Sequence, residues 1–217
     1  MRHPFAFACA LASALLVVPL ACAQDAPKPI GPFVIDVRGT RVSFPSDNQG
    51  LADSRGLALQ ELPGSSFGLD VGAQVYPLRF RKVTIGAGGQ VTLGRSSGSG
   101  QTQDGVTIYR PVTEKYTEVA GQISFNFGTG SGWSYLSGGF GPAKWSIIPG
   151  GGGALPSDQE RLRVYNYGGG ARWFAKPHLA FNFDVRFHDI YPGSPFFGYP
   201  GSPRVKMLVF GAGVSLK

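Results

Sequence analysis

Apolar residues at every second position, arms of about ten residues, and connections that alternate long and short predict an all-β fold class: an eight-stranded, antiparallel, up-and-down transmembrane β-barrel. The first observation is clearest at residues 66–93. Phe67, Leu69, Val71, Ala73 and Val75 alternate with Gly68, Asp70, Gly72, Gln74 and Tyr76. After a basic turn, Val83, Ile85, Ala87, Gly89, Val91 and Leu93 alternate with Thr84, Gly86, Gly88, Gln90 and Thr92. A period of two gathers the apolar residues on one face. Arms of about ten residues are long enough to cross hydrocarbon when tilted. Past residue 23 no long unbroken apolar run exists, which excludes helical spans.

The N-terminus reads as a secretory signal peptide over 1–23. Arg2 and His3 give a basic start, Phe5 to Val18 an apolar stretch, and Ala21-Cys22-Ala23 a small-residue cleavage site. Pro19 interrupts the run and argues against a permanent helix; it also stands where a lipoprotein signal before Cys22 wants an aliphatic residue. Both cysteines, Cys9 and Cys22, fall in this segment. Cleavage there leaves no thiol, and so no disulfide, Cys-bound metal or cysteine nucleophile. Residues 24–32 (QDAPKPIGP) are expected to be a flexible periplasmic lead-in, and 33–217 the barrel domain.

The first strand runs from Phe33 to Phe44, with a phase slip near Gly39 that suggests a bulge, since Val42 and Phe44 fall on the other parity. Residues 45–65 form a long loop in which LADSRGLALQEL suggests a short helix. The second and third strands are the pair above, joined by the turn Pro77 to Lys82. Residues 95–115 form a second long loop. The fourth strand sets Val119, Gly121, Ile123, Phe125 and Phe127 against Glu118, Ala120, Gln122, Ser124 and Asn126. A tight GTGSG turn leads to the fifth, with Leu136, Gly138 and Phe140 outward. Residues 141–162 make a third long loop. The sixth sets Tyr165, Tyr167, Ala171 and Trp173 against Asn166, Gly168, Gly170 and Arg172. After the AKPH turn, Leu179, Phe181, Phe183, Val185 and Phe187 mark the seventh. The fourth long loop, IYPGSPFFGYPGSP, precedes the eighth, with Leu208, Phe210, Ala212, Val214 and Leu216 outward. Four long loops on one side and three tight turns on the other suit a membrane barrel, whereas a sandwich need not sort its loops by length.

At NYGGGARWFAKPHLAFNFDVRFHDIY the chain resembles the small eight-stranded outer-membrane barrels of the OmpA/OmpX and opacity-protein type. The likeness lies in the glycine-aromatic strand, tight turn and Asp-x-Arg-aromatic strand. It implies an outer-membrane location reached through the barrel-assembly machinery. Members usually end in an aromatic residue that the machinery reads, whereas this chain ends Val214-Ser215-Leu216-Lys217.

Outward aromatics are expected at both interfaces: Phe33, Phe127 and Trp173 near the short turns, Phe67, Phe140, Tyr165 and Phe187 near the long loops. The inward set holds Asp36, Arg38, Asp70, Arg172, Asp184 and Arg186, an ion-paired network that plugs an interior just wide enough for side chains. Inward glycines at 68, 72, 86, 88, 168, 170, 211 and 213 make room for the guanidinium groups and Tyr76. A narrow channel and a soluble periplasmic ligand-binding barrel remain rival readings.

The formal charge of +7 and pI of 9.6 could suggest nucleic acid. Position argues otherwise. Most of the excess falls on the short-turn side, where Arg79, Arg81, Lys82 and Lys176 form a basic periplasmic rim suited to anionic headgroups. The long loops and their rim balance basic residues against acids that include Glu61, Glu114, Glu118 and Asp158. Loop aromatics Tyr109, Trp145, Phe196, Phe197 and Tyr199 are the expected contacts for lipopolysaccharide or an extracellular partner.

An enzyme would need a relay, and His188, Asp189 and Ser194 are the weak candidates. Lipid A deacylases of this architecture carry a serine two residues after the histidine, and here that position is Ile190. No metal-ligand spacing and no phosphate-binding loop occurs, so no cofactor is expected.

Overall fold

β-branched and aromatic residues at alternate positions form ten strands in the computed structural model, which describes residues 28–217. Eight of them are β1 (Phe33–Ser43), β2 (Ser65–Phe80), β3 (Val83–Gly98), β6 (Val112–Thr129), β7 (Gly132–Pro149), β8 (Leu162–Lys176), β9 (Leu179–Ile190) and β10 (Val205–Leu216). These close into one antiparallel barrel in the order β1-β10-β9-β8-β7-β6-β3-β2. Closure pairs every strand on both sides and leaves no edge. The remaining two, β4 (Gln101–Gln103) and β5 (Val106–Tyr109), make a small hairpin within the β3–β6 connection. The signal-peptide segment 1–23, with Cys9 and Cys22, lies outside the described residues, as do 24–27.

Outward residues are apolar through most of the wall. Leu136 and Phe181 are each 61% exposed and Phe183 54%. In register they form continuous rows, such as Val37 beside Val71, Val71 beside Val91 and Val91 beside Val119. A soluble monomer rarely shows a contiguous apolar patch beyond a few hundred Å². This one encircles the molecule.

The long-loop end departs from the expected map. β3 continues to Gly98, β6 begins at Val112, and β7 runs to Pro149. Much of what was expected as loop at 95–115 and 141–162 is therefore strand. β1 has no bulge near Gly39, because it pairs without a shift to β2 and β10 as far as Ser43. The cause is a reversal of polarity at this height. Below it β1 points Ile35 and Val37 outward and Asp36 and Arg38 inward; above it Arg41 points outward and Val42 inward. β6, β7, β8 and β10 reverse in the same way. Lys115, Lys144, Arg163 and Lys206 face out while Tyr116, Trp145, Val164 and Met207 face in. The real register shifts lie near the short turns, at Val75/Leu78 in β2 and Phe174/Lys176 in β8.

Two apolar clusters cap the interior. At the long-loop end Val42, Phe44, Tyr116, Trp145, Ile147, Val164 and Met207 pack with Leu51, Ala52, Leu57 and Leu62 from the first loop. That loop holds a short helix, α1 (Gln49–Asp53), whose N-cap Asn48 accepts a hydrogen bond from the Leu51 amide at 3.0 Å. Each large aliphatic side chain buried here contributes roughly 1.5–3 kcal/mol. At the short-turn end Ile30, Val34, Tyr76, Trp133 and Tyr135 cluster. Residues 28–32, expected to be flexible, are instead fastened across the barrel mouth. Arg79 donates to the Ile30 carbonyl at 2.8 Å, the Gly130 amide to the Lys28 carbonyl at 2.6 Å and the Tyr76 amide to the Pro32 carbonyl at 3.0 Å. Ile30 is thereby seated under the lumen.

Candidate functional site

Between the two caps lies the polar interior. Period two sends Asp36 and Arg38 of β1, Asp70 of β2, Arg172 of β8 and Asp184 and Arg186 of β9 into one lumen. Arg172 makes a two-pronged contact with Asp36, at 2.9 and 2.5 Å. Arg38 does the same with one oxygen of Asp70, at 2.9 and 2.6 Å, while Gln90 and Thr92 donate to its other oxygen. Arg186 meets Asp184 at 3.1 Å through both Nε and Nη2, and donates to Gln122, Asn166 and Ser137.

Tyr135, which the sequence reading passed over, joins these pairs. Its hydroxyl accepts from Arg38 at 2.9 Å and donates to Asp184 at 2.6 Å. The Arg172 guanidinium lies 4.2 Å from the centre of its ring. Gly170 makes this possible: a Cβ there would sit 2.6 Å from the tyrosine hydroxyl. At Gly86 a Cβ would fall 2.9 Å from the ring of Tyr76. These inward glycines thus make room for aromatic rings as well as for guanidinium groups.

A second polar layer lies nearer the long loops and was assigned by the sequence reading to the rim. Glu118 is buried and holds Tyr116 and His188, and also accepts from Asn166 at 2.6 Å. Asn166 in turn accepts from Arg186, so the two layers are one network. Above it Glu114 accepts from the Trp145 indole at 2.6 Å. Asp158 binds Arg55 at 3.0 Å and accepts from the Ile147 and Leu155 amides. Parity carried the missing signal: Glu114 and Glu118 share the phase of Gln122, Ser124 and Asn126 along β6.

Beyond the barrel, Arg110 clasps Glu61 at 3.1 Å and its own amide donates to the same carboxylate at 2.8 Å. The hydrogen bonds from Arg110 hold the Glu61 carboxyl down to about 2.

The three relay candidates do not meet. His188 is fully buried against Glu118; Asp189, its neighbour in the strand, points the other way and pairs with Arg204 at 2.9 and 2.5 Å. Ser194 donates to Glu160 at 2.8 Å. Among the loop aromatics, Phe197 is 88% exposed and Tyr199 is exposed, while Tyr109 and Phe196 are half-buried. Trp145 is the correction. It stands in β7, 1% exposed, stacked near Phe44 with ring centres 6.4 Å apart, and offers no surface to a partner. Val106 and Ile108 on the β4–β5 hairpin are exposed instead. At the other end Arg81, Lys82 and Lys176 are exposed, and Arg79 is engaged with Ile30.

No protein-family model matches the sequence, and no curated protein matches it significantly. Solved structures do. The crystal structure of Neisserial surface protein A (NspA) aligns with TM-score 0.55 at 12% identity, over 86% of this chain and 97% of that one. The outer membrane protein OprG from Pseudomonas aeruginosa aligns at 0.48 and 12% identity, over 88% and 97%. Ail, the attachment invasion locus protein of Yersinia pestis, aligns at 0.46 and 14% identity, over 85% and 96%. The fold is that of the small eight-stranded outer-membrane β-barrels.

Proposed function

We propose that this chain is a closed, non-conducting β-barrel of a Gram-negative-type outer membrane, whose work is structural and surface-directed rather than catalytic. The observation that carries the reading is the filled lumen inside an apolar wall. Eight strands leave room only for side chains, and here the space is taken by the network from Asp36 to Glu118, with an apolar cap at each end. The exposed apolar wall suits hydrocarbon, where a closed barrel satisfies every backbone group. The separation of His188, Asp189 and Ser194 supports a non-enzymatic role.

Phe197, Tyr199, Val106 and Ile108 are the surface offered to an extracellular partner, and Arg81, Lys82 and Lys176 meet anionic headgroups on the periplasmic side. Passage through the export and barrel-assembly machinery belongs to the same reading. Two measurements test it. Fractionation with a heat-modifiability gel should place the protein in the membrane and shift its mobility on boiling. Planar bilayers containing the refolded protein should show no discrete conductance steps. Solubility without detergent would defeat the membrane assignment, and regular channel openings would defeat the non-conducting one.

A further inference from the structure

Residues 28–32 cross the short-turn mouth from β1 to the β6–β7 turn, where the Gly130 amide holds the Lys28 carbonyl. Beside them the mouth stays open. A cleft of about 650 Å³ lies between this crossing segment, Gly130 and Ser131 of the β6–β7 turn, the β8–β9 turn as far as His178, and Lys217 beyond the end of β10. That volume is in the range of ligand sites. The outward Phe127, Trp173 and Phe181 take no part in its lining. The cleft therefore opens within the ring of short turns and not onto the apolar wall.

Its charge is one-sided. Lys28, Lys176, His178 and Lys217 stand around it and no side-chain carboxylate does. Among the described residues none of the four makes a salt bridge. Lys217 is firmly placed. Its amide donates to the His178 carbonyl at 3.2 Å, and the His178 ring donates back to the Lys217 carbonyl at 2.9 Å. Its ammonium donates to the Gly130 carbonyl and lies 3.7 Å from the centre of the Phe174 ring. Partial burial, and then the charge of Lys28, hold that ammonium below its ordinary value. A bound anion relieves the repulsion between the two lysines.

The rest of the lining says what else the anion carries. Pro29 and Pro32 of the lead-in, Pro177 of the β8–β9 turn and the half-buried Phe174 give it apolar surface. A small inorganic anion leaves that surface unused. A bilayer headgroup lies outside the ring of turns. An extended peptide brings carboxylates and apolar side chains together, and grooves lined by aromatic rings are a recurrent seat for such segments.

We infer that this cleft binds an acidic, extended segment of a periplasmic protein, with its carboxylates on Lys28 and Lys217 and its apolar side chains on Phe174 and the prolines. The inference goes beyond the barrel reading and takes from it which side is periplasmic.

The full-length protein is placed in phosphatidylcholine nanodiscs, which leave the short-turn face open. Binding of a fluorescent hexapeptide of alternating aspartate and leucine is read by anisotropy against its asparagine counterpart. The acidic peptide should bind more tightly, with a preference that fades as salt rises. K28Q/K217Q should weaken it about five- to tenfold, the usual worth of two partly exposed ion pairs. R81Q/K82Q removes the same charge from a turn outside the cleft and should leave binding unchanged. A heat-modifiability gel checks that both variants are folded. Equal binding of the two peptides overturns the inference, and equal losses in the two variants reduce it to diffuse attraction and overturn it too. Displacement of the peptide by soluble glycerol phosphate at equal concentration would make the cleft a headgroup site and has the same result. A tenfold gain of affinity in Asp25→Asn would make the chain's own lead-in the occupant, again against the inference. Failure to enter nanodiscs of any composition defeats the membrane reading and this inference with it, whereas entry without peptide preference defeats this one alone.

Discussion

The two ends of the barrel use the same strands in opposite ways. Toward the short turns the lumen is ionic and the wall apolar: Asp36, Arg38, Arg172 and Asp184 are inside, Phe181, Phe183 and Val71 outside. Toward the long loops large apolar side chains enter the lumen above the Glu118 layer and the wall turns basic: Met207, Ile147 and Trp145 are inside, Lys206, Lys144 and Arg163 outside. Alternation is the same in both. On the proposed membrane reading, what changes is the medium beyond the wall. Where hydrocarbon covers the outside, polar side chains must turn in and satisfy one another. Where water covers it, the hydrophobic effect turns the apolar ones in. The height at which the strands switch marks the edge of the apolar band, and Arg41, Lys115 and Lys144 stand at it.

The comparison can be broken most sharply in the ionic half. Arg172→Ala leaves Asp36 buried without its main partner and should cost about 3–5 kcal/mol, read from urea unfolding of the refolded protein. A change below about 1 kcal/mol would mean the lumen is wet enough to screen Asp36.

The wall gives the next test. Val91→Lys puts an ammonium in the middle of the apolar band and should cost about 2–4 kcal/mol, whereas Ser97→Lys, on the same face of β3 above the switch, should cost about 0–1. Equal costs would remove the boundary placed between Leu93 and Arg95. Inside the upper half, Ile147→Val trims one methylene from a fully buried side chain and should cost about 0.5–1.5 kcal/mol.

The smallest effect lies outside the barrel. Glu61 titrates at about 2, against an ordinary 4.5, because Arg110 binds its charged form. A lowered carboxyl contributes stability above its ordinary value and loses it as pH falls from about 4.5 through about 2. Amide exchange around residues 57–62 should therefore stay slow to pH 4 and quicken only below it. In Arg110→Ala the quickening should move up toward the ordinary carboxyl value. An identical profile in both proteins would sink the clasp as the cause.

How much of this was legible depended on the half. In the lower wall the rows led by Phe67, Val83 and Leu179 gave the strands, their faces and the inward set of Asp36, Arg38, Asp70, Arg172, Asp184 and Arg186. In the upper half the same rule misled. With apolar taken to mean outward, Val42 and Phe44 read as a slip, 141–162 as loop, and Trp145 as a surface contact. Glu114 and Glu118 went to the rim although their parity was already inward. The lead-in was misread for another reason. Proline-rich composition says that residues 28–32 form neither helix nor strand, not that Arg79, Gly130 and Tyr76 will hold them.

The sequence by itself determined the period, the eight strands of the barrel, the alternation of long and short connections and the lower lumen, because each is written in neighbours along the chain. Tertiary structure alone decided which acid meets which base, that Tyr135 links Arg38 to Asp184, that His188 faces Glu118 and not Asp189, and where the faces exchange polarity. Those outcomes depend on closure. Register between β1 and β10, far apart in sequence, fixes the height of every side chain around the ring. On the proposed membrane reading, height decides whether a residue looks out on hydrocarbon or on water.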